Sequence, residues 1–193
     1  MQGASRAWSC TGYTSELEPK HDPPIKDRRW NSLIFPVSNG IRPLWGSAAH
    51  GLMHFVGGEN SALRAWTLAA DGTSTYQAGS NEIASAQAPR LPGGMPGWNI
   101  TLAANHGEDG IIAAMIPYRD SNMALSAGRF LIYDAQNFVL NPDGSKRLQV
   151  LWDSEQWGPE HAFTHPKFNR PIVWKGRIYR PTYDGRLAVY GLA

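Results

Sequence analysis

The sequence predicts an all-β repeat chain, about three four-stranded blades of a β-propeller in an incomplete ring, and three observations lead there. Turn formers are frequent, with 20 Gly and 14 Pro in 193 residues, which favours many short elements over a few long helices. Three segments share one hairpin plan, and such self-similarity marks a repeat architecture. The strands in them are apolar without clean polar alternation, as expected of sheets covered on both faces.

The clearest hairpin opens at Gly176, runs through Arg177-Ile178-Tyr179-Arg180-Pro181-Thr182-Tyr183 and returns after Asp184-Gly185 as Arg186-Leu187-Ala188-Val189-Tyr190. Asp-Gly suits a two-residue turn, in which both central residues need positive φ. A second hairpin rises from Gly110 through Ile111-Ile112-Ala113-Ala114-Met115-Ile116 and returns as Arg129-Phe130-Leu131-Ile132-Tyr133. A third rises from Gly51 through Leu52-Met53-His54-Phe55-Val56, turns at Gly57-Gly58-Glu59-Asn60 and returns as Leu63-Arg64-Ala65-Trp66. Opening glycine and closing aromatic lie 15, 23 and 14 residues apart in chain order, and a polar loop between Pro117 and Gly128 lengthens the middle copy. The aromatics recur after 67 and 57 residues, long for a blade but consistent with loop insertions. Strands at 97–103, 148–152 and 170–174 flank the hairpins and complete four strands in the middle copy. A β-sandwich is the other arrangement open to these strands. Residues 1–43, with Pro19, Pro23, Pro24 and Pro36, form an irregular lead-in or partial blade; residues 44–193 form the blades.

Composition narrows the function classes. A formal net charge of +2 argues against nucleic acid as a partner. The basic residues Lys167, Arg170, Lys175, Arg177, Arg180 and Arg186 interleave with apolar ones and read as solvated strand faces and loops. Cys10 is the single cysteine, so neither an internal disulfide nor a CxxC or haem motif can form. No apolar stretch approaches the roughly 20 residues of a spanning helix, so no membrane insertion is expected. The first ten residues lack the pattern of a signal peptide, so an export signal would lie outside this chain.

Asn105-His106-Gly107-Glu108-Asp109-Gly110 is the densest group of metal-ligand types, but residues such as Asn, Gly and Asp at a strand-to-strand junction fit a tight turn better. No metal or cofactor is therefore expected. GxSxG, phosphate-loop and HExxH patterns are absent from the sequence. Trp45, Trp152 and Trp174 read as packing between blades, whereas Trp98 and Trp157 are candidates for stacking on a ligand. In a propeller the central hairpin turns and the connections entering each inner strand gather on one face, here 58–60, 91–98, 117–121, 158–167 and Asp184. Loops held by a rigid scaffold carry binding, so the candidate ligand-binding residues are Glu59, Asn60, Trp98, Arg119, Asp120, Trp157, His161, His165 and Lys167. No catalytic residue is assigned.

The run Phe168-Asn169-Arg170-Pro171-Ile172-Val173-Trp174-Lys175-Gly176-Arg177-Ile178-Tyr179, with Tyr183-Asp184-Gly185-Arg186-Leu187-Ala188-Val189-Tyr190-Gly191-Leu192, resembles the closing blade of pyrroloquinoline-quinone-like (quinoprotein-like) propellers. Pro92-Gly93-Gly94-Met95, Leu131-Ile132-Tyr133-Asp134-Ala135 and Leu151-Trp152-Asp153-Ser154 are similar to blade segments of that family. The resemblance covers residues 44–193. The family's blade-docking pattern, Asp-Ala followed by Gly-Lys and a Trp, is echoed by Asp134-Ala135, Lys146 and Trp152, with Asn141-Pro142-Asp143-Gly144 inserted.

The resemblance implies further blades, a periplasmic or secreted location, and ligand sites near a central channel. It also spans quinone-dependent dehydrogenases and noncatalytic binding proteins, so it does not select an activity. The adjacent cysteine pair, haem motif and calcium-binding acidic set expected of the dehydrogenases are missing from the sequence. The favoured expectation is a noncatalytic scaffold engaging a protein, glycan or small molecule through one loop face, with missing blades or self-association completing it. The alternative is a fragment of a quinone-dependent oxidoreductase using pyrroloquinoline quinone and calcium.

Overall fold

The computed structural model describes residues 8–11, 30–36, 52–69, 71–89, 93–105 and 108–191. Thirteen strands make up the described fold, with no α-helix and two short 3₁₀ turns, Ser154–Gln156 and Pro159–His161. The all-β expectation holds.

Strands β1 (Trp8–Thr11), β2 (Trp30–Pro36), β3 (Leu52–Gly58), β4 (Ala62–Leu68) and β5 (Ser74–Ile83) follow one another antiparallel, as do β6 (Asn99–Asn105), β7 (Glu108–Pro117), β8 (Ala127–Leu140) and β9 (Lys146–Asp153). A single parallel pair, Gly79 with Arg147, joins β5 to β9. The two meanders thus form one sheet, which curls until β6 lies beside β2. The short β10 (Phe163–Thr164) pairs with the start of β8. Strands β11 (Ile172–Trp174), β12 (Arg177–Pro181) and β13 (Leu187–Gly191) form a separate sheet. Its three strands fall one short of the four expected of each unit.

All three expected hairpins form, as β3–β4, β7–β8 and β12–β13. The register pairs their closing aromatics as His54 with Trp66, Ile112 with Tyr133 and Ile178 with Tyr190. Strand period two then sorts the faces. Ile112, Ala114 and Ile116 of β7, with Leu131 and Tyr133 of β8, pack against Met53, Phe55, Ala65 and Ala78 of the first unit. Ala113, Met115 and Phe130, on the opposite face, pack with Phe163, Ile178 and Tyr190. The middle unit is therefore covered on both faces, which accounts for its unbroken apolar run. Tyr133 and Tyr190 each point toward the preceding unit, and Trp66 points away from the core that its neighbour Ala65 joins, so the units share one polarity.

Several local expectations are corrected. Asp184-Gly185 is not a two-residue turn: Gly185 N–H donates to the Thr182 carbonyl, Thr182 N–H donates to Arg186, and Gly185 has φ +79° while Asp184 does not enter the positive region. This is a three-residue loop ending in a left-handed glycine. The two-residue turn lies at Lys175-Gly176, with φ 49° and 71°, between the paired Trp174 and Arg177. Strand β5 has no counterpart among the strands read from the sequence. Strands β1 and β2 fall within the segment read as an irregular lead-in or partial blade, and β2 pairs along β3. Trp174, expected to fill a wedge between blades, is exposed on the outer face of the last sheet, while Trp45 lies outside the described residues.

Arg180 is not a solvated cation. Alternation on β12 turns it inward beside Ile178, where its guanidinium carbon lies 4.0 Å from the Phe163 ring centroid and Nη1 donates to the His161 carbonyl at 2.9 Å. Burial lowers its pKa.

Candidate loop face

Five segments leave the strands at the same end: the β3–β4 turn, the β5–β6 connection, the β7–β8 loop, the β9–β11 connection and the β12–β13 turn. Backbone hydrogen bonds join them in series. Ala84 N–H donates to Ser61, Ser85 to Pro117, Gln87 to Tyr118, Ser121 to Met95, His165 to Ser126 and Tyr183 to Thr164. The expected loop face thus exists as one hydrogen-bonded layer, apart from residues 90–92, which lie outside the described residues.

Many polar candidates on this face are committed to holding it together. Asn60, at φ 51°, donates through Nδ2 to the carbonyls of Ser85 and Ala88 and accepts from Gly94 N–H at 3.0 Å. Glu59 is buried beside it, and the Glu59 backbone crowds Gly97. Asp120 accepts from the backbone N–H groups of Asn122 and Met123, a local loop closure. Arg119 is exposed and donates to Gln87.

Trp98 cannot stack on a ligand, because its ring is fully buried. Its Nε1 donates to the Ser61 carbonyl at 2.8 Å, and its ring lies so close to Gly57 that a Cβ there would come within 2.5 Å of it. Trp157 is the opposite case, 58% exposed just after the first 3₁₀ turn.

His165 is likewise corrected from exposed loop residue to buried linchpin. Asn99 Nδ2 donates to the Lys167 carbonyl at 2.6 Å and faces His165 Nε2 at 3.2 Å, so that nitrogen accepts and the ring proton sits on Nδ1, 3.0 Å from Ser121 Oγ. Burial lowers its pKa to about 3, against a smaller upward effect of the Met115 carbonyl. The neutral ring is therefore a hydrogen-bonding spacer at physiological pH. His161 lies nearer solvent, stacked on Tyr190 and edge-on to Trp152, with Nε2 3.7 Å from Glu160. Lys167 places its ammonium 5.3 Å from the Tyr183 ring centroid.

Beneath this layer lies an ionic cluster that sequence reasoning did not single out. Arg129 of β8 holds Asp153 with two hydrogen bonds, of 2.6 and 3.1 Å, and approaches Glu155 at 3.2 Å and Glu82 at 3.8 Å. Tyr118 donates to Glu155 and Tyr133 to Glu82. Burial works to lower the Arg129 pKa, but the Asp153 bond and charge, with Glu155 and Glu82, outweigh it and hold it above its usual range. Burial and then the Glu155 bond raise Tyr118. These residues come from β5, β8, the end of β9 and two loops, and only the fold brings them together.

Apolar side chains are among those left open on this face. Met123, Leu125, Trp157, Phe168 and Tyr183 are exposed on this face. An open groove of about 340 Å³ runs between 125–127 and 162–164, edged by Arg186. Among the described residues no cluster of His, Cys, Asp or Glu could hold a metal ion, and no helix is long and apolar enough to cross a membrane. His106 and Gly107 lie outside the described residues, between the paired Asn105 and Glu108. No protein-family model, curated protein or solved structure matches the chain.

Proposed function

We propose that the chain is a noncatalytic scaffold whose loop face binds a protein, glycan or other ligand, and that its three hairpin units belong to blades of a quinoprotein-like propeller. The shared polarity of the three units supports the blade reading. The observation that carries the binding reading is the contrast on the loop face: its backbone and buried polar groups bond to one another, while Met123, Leu125, Trp157, Phe168 and Tyr183 stay exposed on it and Leu125 lines an open groove. A patch of this kind on a pre-ordered layer binds without a large ordering cost.

The test is to pan the immobilised chain against a random peptide display library and a glycan array, then remeasure each binder with Leu125→Arg and Tyr183→Ala. Binding should weaken by about tenfold or more for these variants, a loss of about 1.4 kcal/mol, and stay unchanged for Leu140→Arg at the other end of the strands. Binders indifferent to both loop substitutions would overturn the reading. So would chelator-sensitive dye reduction after adding pyrroloquinoline quinone and calcium, the signature of the dehydrogenase alternative.

A further inference from the structure

The last sheet ends on an edge that is open among the described residues, and its backbone phase can be read. Thr182 N–H donates to the Arg186 carbonyl, which makes these two a hydrogen-bonded pair. Antiparallel ladders alternate hydrogen-bonded and non-hydrogen-bonded pairs, so Arg180 with Ala188 and Ile178 with Tyr190 exchange the bonds between β12 and β13. The N–H and C=O groups of Leu187, Val189 and Gly191 consequently point away from β12, toward solvent. Pro181, which has no N–H, agrees with this phase, because it faces Leu187 at a non-bonded position.

Nothing on this edge discourages pairing. Natural edge strands are usually protected by Lys, Pro, a bulge or a cover, yet Leu187-Ala188-Val189-Tyr190-Gly191 contains no charge and no proline. Leu187 is 60% and Val189 48% exposed. The corresponding strands of the other units, β4 and β8, each carry a further strand on this side, β5 and β9. At the other side of the sheet, Thr101 Oγ1 of β6 donates to the Pro171 carbonyl just before β11 at 2.5 Å.

We infer that β13 pairs antiparallel with β13 of a second copy, making a six-stranded sheet across a two-fold axis at Val189. The phase permits this register: Val189 faces Val189 of the partner, Leu187 faces its Gly191, and all three positions direct their backbone groups into the new ladder. Arg186 falls outside the paired stretch, so no like charges oppose one another. The row of Ile172, half-buried Tyr179 and Val189 on the outer face then continues into the same row of the partner. Head-to-tail stacking of sheets is disfavoured by the state of the other flank, where Trp66 is 5% and His54 7% exposed and thus already covered.

The experiment is the solution mass of the full chain by light scattering after gel filtration, with melting by circular dichroism to confirm folding. The expected mass is twice the 21.3 kDa of one chain. Val189→Lys, at an exposed side chain, and Val189→Pro, which removes an outward N–H without touching the β12 ladder, should both return the mass of one chain. Ile172→Lys, on the same face but the opposite edge, should remain dimeric. A wild-type monomer would overturn the inference. A dimer that survives Val189→Pro, or is lost in Ile172→Lys, would equally overturn it and assign association to the face of the sheet. These outcomes concern mass alone and leave the loop-face reading to its own test.

Discussion

The ring of His165 stays neutral because burial removes the water that would solvate a charge, and Asn99 and Ser121 occupy its two nitrogens. Its folded pKa of about 3 lies below the ordinary value of 6.5, so the unfolded chain takes up a proton first as pH falls. Stability from this group is complete above 6.5 and declines below it, by about 1.4 kcal/mol per pH unit at most. His54, lowered by the same burial, acts in the same direction. Urea unfolding between pH 7 and 5 should therefore show falling stability while carboxylates remain ionised, with a shallower slope in His165→Gln. An unchanged slope would refute the assignment. His165→Ala should cost about 1–3 kcal/mol by leaving Asn99 and Ser121 without their partner. In sequence, a histidine between Thr164 and Pro166 looks like any loop residue; its burial arises because Ser126 and Asn99, far away in the chain, close over it.

Turn chemistry decides more at the level of elements. The hairpin at Asp184-Gly185 was legible from the dipeptide and the flanking apolar runs, but its loop length was not, because Thr182 and Arg186 close the ladder one residue earlier than a two-residue turn requires. Gly185→Val should still destabilise the chain, by about 1–3 kcal/mol, since a β-branched residue is disfavoured at φ +79°. A Cβ there meets nothing within 4 Å, so the effect is conformational and not a clash. An unchanged melting temperature would rule out the left-handed assignment. Strand β5 escaped sequence reasoning for a related reason. Half of its ten residues are exposed, only Ala78 is fully buried, and polar strands lack the apolar period that reveals strands.

Across the whole molecule, the middle unit is held most firmly, because its two faces belong to two different cores. Hydrogen exchange should be slowest in β7 and the first half of β8, and fastest in β11, whose outer side chains are exposed. Uniform protection across all strands would contradict this layering. The contact between the first two units passes through Gly57, against which Trp98 lies flat. Gly57→Ala should cost about 1–3 kcal/mol, because the indole is enclosed and tied to Ser61 and cannot move aside. A chemical denaturation curve coincident with wild type would show that this packing is looser than described.

Local information was enough for the all-β class, the three hairpins, the flanking strands at β6, β9 and β11, and the end of the strands where loops collect. Each of these follows from short-range causes: turn residues at fixed offsets, apolar runs of strand length, and meander connectivity that sends alternate loops to one end. The fates of Trp98, His165 and Arg180 were decided only in three dimensions. All three looked like candidates for solvent, and each became buried because groups distant in sequence met its polar atoms: Ser61 for the indole, Asn99 and Ser121 for the imidazole, His161 and the Phe163 ring for the guanidinium. A side chain's polarity states what bonds it needs, whereas the path of the chain determines whether water or protein supplies them.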